Sequence, residues 1–207
     1  MPTGMIPFVV KEYTFSERAV LTIIDIENIN EVVKATLDEY FVPICEGNSG
    51  SNLSTVKTRV RNLFATKEYE WIMGATAEFF VHLYIRLTGF KQECLFLNLE
   101  ENSIKKGFDG YYSKDGQEWL MESKAGSIDS KGISHADKVT LAMNDLSKKV
   151  SGKDKSGKKK LPNNPWQEAY AHASQYDVGT AANIRKNIKE HSLSTYHSYI
   201  CRIKTNW

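Results

Sequence analysis

Hydrophobic and polar positions alternate in distinct ways along the chain, and each change of period marks a predicted element. From Tyr69 to Leu87 the residues are apolar almost all round a helix, with Glu78, His82 and Arg86 at four-residue spacing as its one polar stripe. Residues 15–41 place Val20, Ile23, Ile24, Val32, Val33 and Leu37 at helix-like intervals and predict an earlier helix. EGNSGSN at 46–52 reads as a loop, after which Ser54 is placed to cap a helix running to about Phe64. Thr88-Gly89 ends the long apolar helix, and Glu93–Leu99 reads as a strand. Further on, helices are expected over about 134–150, 165–176 and 181–190, and TYHSYICRIK alternates well enough for a last strand. Helices, then strands, then helices, then a strand favour an α/β or α+β domain with a small mixed sheet flanked by helices.

Between these elements lies KKGFDGYYSKDGQEWLMESKAG, Lys105 to Gly126, two short strands around Asp115-Gly116. A two-residue Asp-Gly turn of type I′ pairs Lys114 with Gln117 and so brings Asp109 opposite Glu122. Opposed residues share a face with Cβ atoms about 4.5–5.5 Å apart. Leu120, Glu122 and Lys124 then lie on that face, Trp119, Met121 and Ser123 on the other, and Gly107 leaves room for Lys124. Two opposed carboxylates repel, and a divalent cation removes the conflict. Mg²⁺ or Mn²⁺ takes hard oxygen ligands at such a spacing, and the Ser123 carbonyl is placed to add another. Lys124 is placed to orient a water or to offset charge on a phosphate.

Charge changes this picture through its distribution and not its net value of +2. Residues 16–46 hold seven acids against Arg18 and Lys34, whereas 148–160 hold seven lysines against Asp154. The lysine-rich segment is read as a flexible insertion. It is either a solvated loop or a contact for a polyanion, nucleic acid above all, through Lys155, Lys158, Lys159 and Lys160. Lys105, Lys106 and Lys131 flank the hairpin and are placed to meet phosphates, although exposed strand-end lysines are also ordinary. No apolar run reaches the roughly 18–20 residues of a membrane span. Cys45, Cys94 and Cys201 are sparse, and the start MPTGMIPFVVKEYTF is unlike a signal peptide. A cytoplasmic protein without a membrane partner is expected.

Asp109, then twelve residues, then Glu122-Ser123-Lys124 resembles the D…(D/E)xK signature of the PD-(D/E)xK nuclease superfamily, the restriction-endonuclease-like fold. The resemblance covers about 69–126, or 69–176 with the later helices. It implies a 67–207 nuclease core behind a helical extension at 1–66. Asp109 and Glu122 would hold one or two metal ions, Lys124 would assist water activation, and Glu78 would be the additional acid on the preceding helix. Phe108 stands where some members have proline. GFDGYY followed by ESK also resembles nucleases of anti-phage systems, including that of Hachiman-type defence. The implied activity is Mg²⁺-dependent hydrolysis of nucleic acid, DNA before RNA, in restriction or phage defence, with a homodimer or a helicase or sensor as partner. The alternatives are a nuclease-fold module that binds without cutting and an interaction subunit of a larger complex.

Other residues carry less. None of the five histidines has HxH, HExxH or HNH surroundings. His172, with Gln175, is an outside candidate for a supporting phosphate contact against an ordinary surface role. Trp166, Tyr170 and Tyr176 at helical spacing either stack on bases or belong to a core.

Overall fold

A computed structural model describes residues 6–17, 19–98, 103–104, 107–127, 134–151, 165–173, 182, 186, 198–199 and 201–205. The chain is mixed α/β and divides into two compact units, Met1–Phe90 with Ile200–Trp207, and Lys91–Tyr199. The division falls after the long apolar helix, between Phe90 and Lys91. Among the described residues no helix is long and apolar enough to cross a membrane.

The first unit opens with a hairpin where a helix is expected. Strands β1 (Val9–Ser16) and β2 (Ala19–Ile26) pair antiparallel, and β2 pairs in parallel with β9 (Cys201–Thr205). Val20, Ile23 and Ile24 satisfy a helical period, but AVLTIIDI is dominated by β-branched residues that prefer a pleated surface. Its buried residues, Thr22, Ile24 and Ile26, follow the strand period of two. Helix α1 (Glu31–Glu46) begins only after Asn30, whose side chain accepts from Val33 N at 3.0 Å. Helix α2 (Leu53–Phe64) is capped by Asn52, with Thr55 N donating at 2.8 Å, and not by Ser54.

Helix α3 (Tyr69–Leu87) keeps its expected bounds, and Phe79 through Ile85 are all buried, which accounts for its apolar circumference. Its polar stripe is buried at His82 and half-buried at Glu78 and Arg86. His82 is fully buried, with Nε2 3.6 Å from Glu78 Oε1, and the Arg86 guanidinium stands 5.8 Å over the Tyr40 ring.

The second unit holds a four-stranded sheet in the order β3 (Lys91–Gln92), β6 (Gly110–Lys114), β7 (Gln117–Met121), β8 (Ser198–Tyr199). The β3–β6 and β6–β7 pairs are antiparallel and β7–β8 is parallel. Among the described residues the strand expected over 93–99 is broken: Glu93 N still donates to Tyr111 O at 2.7 Å, and of the rest only Leu97–Asn98 (β4) pairs, with Ser103–Ile104 (β5). The expected C-terminal strand is likewise divided, between β8 in this sheet and β9 in the other.

Helix α4 (His135–Ser151) and helix α5 (Pro165–Ala173) complete the described part of this unit. Their core joins Cys94, Phe108, Tyr111, Leu120, Leu146, Trp166 and Ala169. Trp166 stacks edge-on against Phe108 at 4.8 Å and donates from Nε1 to Val150 O at 3.1 Å, so one side chain ties α5 to the hairpin and to the end of α4. Trp166 is thus core and not a base-stacking surface. Tyr170 packs against the same cluster, and Tyr176 lies outside the described residues. Of the helix expected over 181–190, only residues 182 and 186 are described.

Candidate active site

The hairpin that carries the acids forms around the predicted turn. Asp115 and Gly116 both adopt positive φ, 51° and 75°, as a type I′ turn requires. The ladder runs from Lys114 opposite Gln117 to Gly110 opposite Met121, the register that an Asp-Gly turn sets. Asp109 and Glu122 are the next residues on each strand, beyond the last ladder pair.

Past that point the strand alternation no longer holds. Ser123, expected on the opposite face, turns back to Asp109: its N–H and its hydroxyl donate to Oδ2 at 2.7 and 2.9 Å. Among the described residues the ladder ends at Met121, so beyond it the pleat no longer sets where Ser123 faces. Ser123 therefore meets Asp109 as a donor, and its carbonyl is not what this contact uses. Gly107, at φ 93°, does not serve Lys124 either. A Cβ there would meet Glu168 Cβ at 3.2 Å and the Pro165 backbone at 3.4 Å, so the glycine admits α5.

Opposite the carboxylates stands a residue the spacing of the motif does not announce. Lys149 Nζ, from the last turn of α4, donates to Asp109 Oδ1 at 3.0 Å and to Glu122 Oε2 at 2.5 Å. Lys124 bonds the other oxygen of Glu122, Oε1, and lies 3.3 Å from Asp145 Oδ2. Asp145 Oδ1 accepts from Lys148 at 2.5 Å. Three acids and three lysines thus alternate through one network. The signal for the helical half was Asp145, Lys148 and Lys149 at i, i+3 and i+4, one helix face. Lys148 and Lys149 fall both in the helix expected over 134–150 and in the lysine-rich segment 148–160, and the structure makes 148–151 helical.

The electrostatics follow from burial and neighbours. The Glu122 side chain is 2% exposed and that of Asp109 19%. Burial pushes the Glu122 carboxyl up, the Asp109 charge adds to this, and Lys149 and Lys124 counter it in part. Burial works to lower the Lys149 ammonium, but the Asp109 and Glu122 carboxylates outweigh it and hold its pKa above the ordinary value. Lys124 behaves alike: desolvation is overcome by its bond to Glu122 and by the charges of Glu122 and Asp109. Asp145 is held low, chiefly by its bond from Lys148.

The donor chemistry fits a hard divalent ion. Two carboxylate oxygens from two strands already converge on one positive centre, and Mg²⁺ is commonly held by one or two carboxylates completed by water and substrate phosphate. Among the described residues no group of three or more His, Cys, Asp or Glu is placed to hold a metal, so the fit rests on this pair. Glu78 belongs to the first unit, where it faces His82. His172 is buried, three residues after Ala169 on the inner face of α5, which removes it as a surface phosphate contact. Lys105, Lys106, Lys131, Lys155, Lys158, Lys159, Lys160 and Gln175 lie outside the described residues.

No protein-family model matches this chain, and no curated protein and no solved structure matches it either.

Proposed function

We propose that this chain is a metal-dependent nuclease that hydrolyses phosphodiester bonds of nucleic acid, DNA before RNA, on a restriction-endonuclease-like core. One observation carries the reading: Asp109 Oδ1 and Glu122 Oε2 converge on a single cationic centre, with the motif lysine on the remaining Glu122 oxygen. Pure structure gains little from opposing two carboxylates in a sheet. In this reading Asp109 and Glu122 bind Mg²⁺ or Mn²⁺, which when bound polarises the scissile phosphate and lowers the pKa of a water. Ser123 fixes the Asp109 carboxylate by two hydrogen bonds to Oδ2, and Oδ1 is the oxygen that would hold the ion. Lys124 orients the attacking water or offsets charge gathering on the phosphate oxygens, and Asp145 holds the Lys124 ammonium near Glu122. Restriction or phage defence is the setting implied by the resemblance of the GFDGYY and ESK segments.

A second reading has its own observation. Asp109, Glu122 and Asp145 are matched in number and charge by Lys124, Lys148 and Lys149, as in a structural network. That favours a nuclease-fold module that binds nucleic acid without cutting it. Supercoiled plasmid incubated with Mg²⁺, Mn²⁺ or EDTA separates the two, with wild type beside Glu122→Gln and Lys124→Ala. Metal-dependent nicking lost in both variants supports the nuclease. Plasmid retarded on a gel but left intact by every protein supports the binding module.

A further inference from the structure

The ammonium shared by the acid pair sits where those same two oxygens would hold an ion. Asp109 Oδ1 and Glu122 Oε2 lie 3.0 and 2.5 Å from Lys149 Nζ. Mg²⁺ requires its oxygens at about 2.0–2.1 Å and in near-octahedral order. Ion and ammonium compete for the same lone pairs, and as like charges only a few ångströms apart they repel in a half-buried site. They cannot both occupy it. Lys124 is arranged differently, since it bonds Glu122 Oε1 and leaves Oε2 to Lys149. Lys149 is carried on a helix fixed at both ends, by the Ser134–Asp137 cap and by Trp166 on Val150 O. Its side chain is 23% exposed, and its four-carbon stem can swing outward without moving the helix.

Resting on the nuclease reading, we propose that Lys149 is a tethered counter-cation of the acid pair which a divalent metal must displace. It holds the two carboxylates together and weakens metal binding by the amount of that competition. The site therefore loads only at metal concentrations sufficient to expel the ammonium.

Mn²⁺ calorimetry on wild type, Lys149→Met, Lys124→Met and Glu122→Gln tests this without reference to cleavage. Lys149→Met is expected to bind Mn²⁺ about tenfold tighter than wild type, an ordinary coupling between two ligands of one site. Lys124→Met is expected to tighten binding less, and Glu122→Gln to abolish it. Binding by Lys149→Met that is unchanged, weaker, or tightened no more than by Lys124→Met overturns the proposal and leaves the nuclease reading standing. Absence of Mn²⁺ binding in both wild type and Lys149→Met overturns the nuclease reading and the proposal with it. Should Lys149→Met not fold, acetylation of Lys149 in the wild-type chain, read by peptide mass spectrometry, decides the matter. Labelling should rise several-fold on adding Mn²⁺, and constant labelling of a protein that calorimetry shows to bind Mn²⁺ rejects displacement.

Discussion

Ser123 bonds one oxygen of Asp109 twice, from its backbone N–H at 2.7 Å and from its hydroxyl at 2.9 Å. Oδ2 is thereby occupied, and Oδ1 is the oxygen turned towards Lys149 and Glu122. Ser123→Ala removes the hydroxyl bond and keeps the amide bond. A hydrogen bond to a charged group contributes about 1.5–3 kcal/mol, and the surviving N–H retains part of the effect. Urea denaturation should show a loss of about 1 kcal/mol, with weaker Mn²⁺ binding. Unchanged Mn²⁺ affinity would mean that Asp109 is aimed by other contacts.

Two glycines of the hairpin separate backbone strain from packing. Gly116, at φ 75°, has no atom within 4 Å of where a Cβ would stand, so Gly116→Ala costs only the left-handed conformation, about 1–2 kcal/mol. Gly110 faces Met121, and a Cβ there would come within 3.0 Å of Met121 Cβ and 2.6 Å of the Tyr112 ring. Tyr112 and Met121 are both buried, so Gly110→Ala overpacks the sheet beside Asp109, at about 1–3 kcal/mol. Thermal denaturation should show both losses. Only Gly110→Ala should also weaken Mn²⁺ binding, and an equal effect at Gly116 would contradict this division.

The helix that delivers Asp145, Lys148 and Lys149 starts with a reciprocal cap. Ser134 Oγ accepts from Asp137 N at 3.1 Å, and Asp137 Oδ2 accepts from Ser134 N and Oγ at 3.0 and 2.6 Å. The Ser134 hydroxyl and amide bonds hold the Asp137 carboxyl below its ordinary range. A carboxyl with a folded pKa below its unfolded one stabilises above the unfolded value and loses that contribution as pH falls through the folded value. Asp137→Asn should therefore lower the melting temperature near neutrality, and the gap from wild type should close below about pH 4. A gap that persists in strong acid would assign the effect to something other than ionisation.

The acid pair and Lys124 were legible because an Asp-Gly turn dictates register, and register dictates which residues meet. Lys149 was not, since it reaches Glu122 from 27 positions away and the spacing of the acid-acid-lysine motif says nothing of it. Its helical spacing from Asp145 was visible, but nothing local links that helix face to the hairpin. The first strands were misread for a different reason. Over a short apolar run such as Val20–Ile24 the two periods overlap, and β-branching was the discriminating signal. Ser123 shows a third limit: alternation predicts facing only while the ladder lasts.

Trp166 offers the last test, because the position of Lys149 depends on it. The indole packs on Phe108 at 4.8 Å and Tyr111 at 6.4 Å and bonds Val150 O, the carbonyl immediately after Lys149. Trp166→Ala should cost about 3–5 kcal/mol, as for other large core truncations. Trp166→Phe keeps most of the apolar contact but strands the Val150 carbonyl, which costs about 1–3 kcal/mol. If the carbonyl bond sets the end of α4, Trp166→Phe should also raise acetylation of Lys149, because the ammonium no longer rests between Asp109 and Glu122. Labelling equal to wild type would show that the apolar contacts alone hold Lys149 in place.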